Sequence, residues 1–332
     1  MKATNTSSEL LSSKPQNPTL LSRFMGSMRP ADWLFKQTTM LFALAIAGLV
    51  VLIIYEMVRN SQLTFEKFGF TFLTETVWDP VREQFGALPF IYGTVISSIL
   101  ALLIAVPISL GVAIFLVEHA PVKLAQPISF VVQLLAAIPS VVYGLWAIFV
   151  LAPLLRDNIY PLIQSTLGFL PIFQGNINGL GLLTAGIILS IMIVPIITAV
   201  TTDVMRAVPN TQREASFALG ATKWEATQMI LQNAKSGITG AVILGLGRAV
   251  GETMAVTMVI GNRPKISASL FDPSFTIASA IANEFTEATS EIYRHALVEL
   301  GLILFIITFL INASARLLVY AATRRQGGAA HG

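Results

Sequence analysis

The sequence contains no cysteine. That excludes a disulfide framework, a thiolate metal site and a cysteine nucleophile. Histidine is scarce as well: His119, His295 and His331 lie far apart and make no metal-ligand spacing. Asp, Glu, Lys and Arg together form 12% of the chain, against roughly 25% in a soluble domain. The net charge of +3 is small and scattered, so composition gives no case for nucleic-acid binding. No G-x-x-x-x-G-K-[ST] phosphate loop, H-E-x-x-H or G-x-S-x-G occurs. The chain therefore carries none of the ATP-hydrolysing, zinc-protease or serine-hydrolase signatures, and neither a cofactor nor a catalytic role is expected of it. No internal repeat of the kind that builds many secondary transporters is evident.

What is present is apolar surface. Hydrophobic residues make up 54% of the chain and the mean hydropathy is +0.72. The expectation is an all-α, polytopic integral membrane protein. A helix rising 1.5 Å per residue needs about 20 apolar residues to cross a bilayer. Six segments qualify, near 36–58, 91–117, 127–153, 179–203, 237–260 and 296–319. Pro107, Pro139 and Pro195 fall inside them, as membrane helices tolerate. The Ser/Pro/Asn-rich residues 1–30 read as a loosely held tail, 31–322 as the transmembrane domain and 323–332 as a C-terminal tail. Tyr55-Glu56-Met57 after the first apolar run offers no small-residue cleavage site, so that run is expected to persist as a span. Thirteen Lys and Arg fall on the side of the termini and the 204–236 loop, and seven on the other. The positive-inside rule then puts both termini and that loop in the cytoplasm.

The 204–236 loop has its own pattern. Thr211-Gln212-Arg213-Glu214 reads as a capping box, Gly220 as a left-handed helix end, and Thr222-Lys223-Trp224-Glu225 as a second box. The expected element, 211–225, is helix, sharp turn, helix on one membrane face. On the other face Glu284, Glu287 and Glu291 would share a helical face, a site for a metal or, more simply, a solvated surface.

Inside the fifth span lie Arg248 and Glu252, each at a price of about 2.5–3.5 kcal/mol on insertion scales. Four residues apart, they are expected to stack on one face and neutralise each other. Gly245, Gly247 and Gly251 would let a helix or a solute approach. Two readings follow: a packing salt bridge, or a polar lining whose planar guanidinium suits an oxyanion.

These residues resemble the permease subunits of bacterial ATP-binding-cassette importers. The signature there is E-A-A, three residues, G, nine residues, then I-x-L-P; here Glu214, Ala215, Gly220 and Ile230 match, with Ser216 in place of the second Ala. Gln232 and Asn233 replace the Leu and Pro, which predicts a second helix that ends less abruptly. Within that superfamily the chain is similar to the phosphate-specific transporter, PstC type. The stretches that carry this are Trp78-Asp79-Pro80, Phe85 to Pro89, Tyr92-Gly93-Thr94, Ile138 to Gly144, and Gly247 to Val256 with Gly261-Asn262. The resemblance implies six spans, a PstA-type sibling permease, two copies of an ATP-binding subunit and an external phosphate-binding protein. It implies that Arg213, Glu214, Ala215 and Gly220 couple to the ATPase, and that Arg248, Glu252 and Thr253 belong to the phosphate pathway. Related importers of molybdate or sulfate share that physics. A passive anion channel would not need the capped docking helix, and a membrane enzyme using Glu252 as acid/base lacks a nucleophile or metal motif.

Overall fold

The computed structural model describes residues 30–327, with side chains at 32–314, 316 and 317; the expected N-terminal tail lies outside the described residues. The fold is all-α, apart from one two-residue antiparallel ladder pairing Trp78 with Phe85 and Asp79 with Gln84. The chain divides into two compact units, residues 1–56 and 57–332. The described part of the first is the body of α1 (Pro30–Arg59), a single apolar helix. The second holds α2 (Gln62–Phe68), α3 (Thr71–Thr74), β1 (Trp78–Asp79), β2 (Gln84–Phe85) and α4 (Leu88–His119). There follow α5 (Val122–Ala137), α6 (Ser140–Leu167), α7 (Leu182–Arg206) and α8 (Asn210–Ala218). The last elements are α9 (Lys223–Gly251), α10 (Met254–Val259), α11 (Ile277–Glu284) and α12 (Glu291–Gly327).

Among the described residues five helices are long and apolar enough to cross a membrane: those of α1, α4, α6, α7 and α12. Four match expected spans closely. Pro107 and Pro195 are absorbed within α4 and α7. The other two expected spans are broken. The 127–153 run is split at Ile138-Pro139, where both residues are extended (ψ 130° and 139°). Pro139 has no N–H to continue the ladder and pushes the residue before it out of helical geometry. The 237–260 run is split at Glu252, also extended (φ −71°, ψ 131°), between α9 and the six-residue α10. At the other end of the chain α12 runs to Gly327, so helix occupies the first residues of the expected C-terminal tail.

The centre of the second unit is α7, which buries Ile188, Ile193 and Ile197 against α4 and α9. Tyr143, Ala147, Ala255, Val256 and Val259 belong to the same core. Thr94 ties α4 to α11 by accepting the Ile277 N–H at 2.9 Å, the interhelical role its place in a span suggests. A separate small core of Ala113, Met205, Val208, Ile230 and Ala234 sits where α4, α7 and α9 meet beside α8. Ile230, the last matching residue of the signature, is fully buried there, so its job is to seat the α8–α9 hairpin.

Candidate functional site

The α8–α9 hairpin is built by its backbone. Pro209 is the N-cap of α8, with no side-chain cap, so the helix begins at Asn210 and Thr211 already lies inside it. The first expected capping box therefore does not form, because the proline stops the chain two residues earlier. The second does: Thr222 Oγ1 accepts the Glu225 N–H at 3.3 Å, and Glu225 accepts the Thr222 N–H at 2.7 Å. That backbone donor holds the Glu225 carboxyl below its ordinary range. Gly220 has φ +86°, its N–H bonds to the Phe217 carbonyl and the Ala221 N–H to the Ser216 carbonyl. This pair of bonds closes a Schellman end. A Cβ at Gly220 would meet nothing within 4 Å, so the backbone angle alone demands glycine.

The four expected coupling residues part company. Glu214, Ala215 and Gly220 are exposed, beside the exposed apolar side chains of Phe217, Leu219 (89%) and Trp224. Arg213 instead turns inward. Its Nη2 and Nε donate to Glu118 Oε1 at 2.8 and 3.3 Å and its Nη1 to Asn210 Oδ1 at 2.7 Å, with side chains only 18% and 12% exposed for Arg213 and Glu118. Arg213 thus fixes the hairpin to the end of α4. Asn233, standing where the signature has proline, donates to Gln212 Oε1 at 2.7 Å, and α9 runs unbroken through it.

At the other end of α9 the two breaks meet. Gly144, just after Pro139, faces α10: a Cβ there would lie 2.6 Å from Met258 Sδ and 3.1 Å from Ala255 Cα. Tyr143 is buried and donates to the Leu135 carbonyl at 2.8 Å. The expected Arg248–Glu252 stack is absent. No ion pair within 4.0 Å joins them among the described residues, because α9 ends at Gly251 and the four-residue helical repeat ends with it. Glu252 is buried and accepts the Ala255 N–H at 3.4 Å, serving the first turn of α10. Thr253 is half-buried; its hydroxyl leans on the Gly251 carbonyl at 3.3 Å and its own carbonyl accepts from Thr257 at 2.7 Å. Arg248 is exposed and makes no side-chain hydrogen bond among the described residues. Gly247 and Gly251 beside it have open space where a Cβ would be, whereas Gly245 is pressed against Ile197.

The three outer glutamates do not share a face. α11 ends at Glu284 and α12 begins at Glu291, and no metal-holding group of acidic or histidine residues occurs among the described residues. Glu284 Oε2 accepts from Trp78 Nε1 at 2.7 Å and Tyr293 Oη at 2.8 Å, and burial pushes its carboxyl above the ordinary range.

The family of binding-protein-dependent transport system inner membrane components matches residues 105–327. The chain is 49% identical over 299 residues to the phosphate transport system permease protein PstC of Haemophilus influenzae, covering 89% of this chain and 95% of the relative. Against the protein of the same name from Mesorhizobium japonicum it is 48% identical over 301 residues, covering 89% and 92%. Against PstC 2 of Mycobacterium tuberculosis it is 39% identical over 308 residues, covering 90% and 95%. This chain belongs to the PstC family. It is therefore a multi-pass inner-membrane transport component. In this PstC-family chain the contacts that sequence reasoning does not reach are those of Glu118, Gln212 and Tyr143. Glu118 is 95 positions from Arg213, and no local pattern links them. Tyr143 lay inside a stretch already singled out, but its tie to Leu135 depends on a break that an apolar run conceals.

Proposed function

We propose that this chain is one of the permease subunits of an ATP-driven importer of inorganic phosphate, and that Arg248 lines the anion's path. The observation that carries this is Arg248 itself: an exposed guanidinium, unpaired among the described residues, at the end of a long helix in a largely apolar bundle, with open space at Gly247 and Gly251. Facing lipid, such a group would be costly; facing a water-filled path or a second subunit, it offers a planar donor fork matched to an oxyanion. Glu252 and Thr253 shape the break beside it. The second permease is a PstA-type sibling, which covers the open face.

The α8–α9 hairpin is the ATPase contact. Glu214, Ala215, Gly220 and the apolar side chains around them are free to dock, and Arg213 holds the element at a fixed angle through Glu118. Two ATP-binding subunits on the cytoplasmic face and a phosphate-binding protein outside complete the complex. The broken runs 122–167 and 223–259 count as one crossing each, which gives six crossings with both termini inside. Nucleotide-driven movement of the hairpin would tilt α9 and switch access to Arg248 between the two sides.

The test is uptake of labelled phosphate by proteoliposomes that hold the whole complex, with sulfate and molybdate as competitors. ATP-dependent uptake, blocked by neither competitor at equal concentration, is the expected result. Uptake without ATP would mean a channel, and preference for molybdate or sulfate would move the chain to another oxyanion.

A further inference from the structure

At the end of α9 and α10 far from the hairpin, the chain forms an open cavity of about 350 Å³, lined by Asn176, Asn178, Gly261, Arg263, Lys265 and Asp272 among others. Its backbone is fixed rather than loose. The carbonyls of Val259, Leu270 and Asp272 accept the N–H groups of Gly181, Leu183 and Leu182 at 2.8–3.1 Å, which clamps residues 259–272 onto the start of α7. Arg263 and Ser274 are joined by a backbone bond of 3.1 Å, and Ser274 and Ile260 by one of 3.0 Å. Between them Gly261 (φ +90°) and Asn262 (φ +49°) make a left-handed turn packed so tightly that a Cβ at 261 would lie 2.7 Å from Pro273. The Asn262 amide holds the turn by donating to the Thr257 carbonyl at 2.9 Å.

The donors on this frame are exposed, and three of the four have no partner among the described residues. The Arg263 guanidinium makes no hydrogen bond or ion pair among the described residues, and the Asn176 and Asn178 amides make none either. Lys265 Nζ stands 3.9 Å from Asp272 Oδ2, an oxygen that already accepts from Ser267 Oγ at 2.6 Å. Two cations, two carboxamides and a single carboxylate, itself engaged, therefore line one cavity. A cavity lined by donors with a net positive charge concentrates small anions. At about 30 Å³ of liquid volume per water, the cavity has room for a tetrahedral oxyanion together with much of its hydration shell. The turn at Gly261-Asn262 closes α10, whose other end is the Glu252 break, so cavity and break are one short helix of about 9 Å apart.

We infer that this cavity is a reception site for a hydrated tetrahedral oxyanion, inorganic phosphate under the function proposed above, on which this inference rests. It holds the anion loosely between release by the external binding protein and passage to Arg248.

The test uses the whole complex in nanodiscs of zwitterionic phospholipid and follows phenylglyoxal modification of each arginine by peptide mass spectrometry. Inorganic phosphate, against chloride at equal ionic strength, should protect Arg263 and leave Arg294, which lines a different cavity, unprotected. Lys265→Gln should raise the half-protecting phosphate concentration about tenfold, the loss of one charge-assisted contact. Uptake at limiting phosphate should fall about tenfold in the double variant Arg263→Gln, Lys265→Gln. Full uptake in that variant at limiting phosphate overturns the reception role. No protection by free phosphate overturns the site. Protection that requires anionic phospholipid assigns the cavity to a lipid headgroup, and protection by the unloaded binding protein alone assigns it to protein docking; either overturns the proposal. Protection is read without transport, so a complex that imports no phosphate would sink the proposed function while this measurement still stood.

Discussion

The chain breaks two of its long apolar runs, and the two breaks are mended differently. At Ile138-Pro139 the interruption is steric, and the freed Leu135 carbonyl is taken up by a neutral group, the Tyr143 phenol. At Glu252-Thr253 no proline is involved; Gly251 ends the helix, and a carboxylate takes up an N–H of the next one. The first solution adds no charge to the core. The second leaves one buried acid and one unpaired guanidinium a few residues apart. A break made only to bend a helix needs nothing more than the first, so the second points to chemistry that requires charge.

The sharpest way to test that contrast is to neutralise the charges. Arg248→Gln should lower uptake about a hundredfold, as expected when a charge-assisted contact worth about 3 kcal/mol is lost. The double variant Arg248→Gln, Glu252→Gln should be equally inactive with the complex fully assembled, because no salt bridge is there to be relieved. Near-normal uptake by the double variant would make the second break a packing device like the first.

Smaller effects attach to the seam between the breaks. Gly144→Ala drives a methyl into Met258 and Ala255, which should destabilise the complex by about 1–3 kcal/mol and shift the midpoint of its thermal melt downward. An unchanged melt would show that the seam is loose. Tyr143→Phe removes one hydrogen bond at the neutral break and should cost about 1 kcal/mol; a loss of uptake far beyond its loss of stability would mean that the phenol serves Arg248 and not only the Leu135 carbonyl.

The smallest effect concerns a half-buried carboxylate outside the spans, Glu284. Burial raises the Glu284 pKa, so its protonated form favours the folded state. Its contribution to stability is full below the ordinary carboxylate pKa and is lost as pH rises through the raised value. Trp78, which donates to it, should report that titration by fluorescence, and Glu284→Gln should flatten the profile. A pH response that survives in the glutamine variant would assign the titration to another group.

The parts of the fold legible in the sequence are those set by runs and caps. The helices α1, α4, α7 and α12 follow from unbroken apolar runs, and the turn at Gly220 with its second capping box follows from local chemistry alone. The break at Glu252 was hidden, because Gly-Glu-Thr inside an apolar run reads as a helix with charges one turn apart. Helical spacing would pair those charges, but the helix ends at Gly251 and the pairing ends with it. Arg213 was legible as part of a signature but not as a strut, since its partner Glu118 comes from a distant helix end. Pro209 displaced the first capping box by capping earlier, a competition between two start signals that propensity cannot rank.

Asn233 has a mechanical consequence. Where the signature would place a proline, the backbone ladder of α9 continues, so the 29 residues from Lys223 to Gly251 form one stiff rod. At 1.5 Å per residue it is about 43 Å long, and a tilt of about 5° at the hairpin carries the far end about 4 Å sideways. With no break in the helix along its length, a displacement imposed on the hairpin would, under the proposed function, be carried to the residues around Arg248.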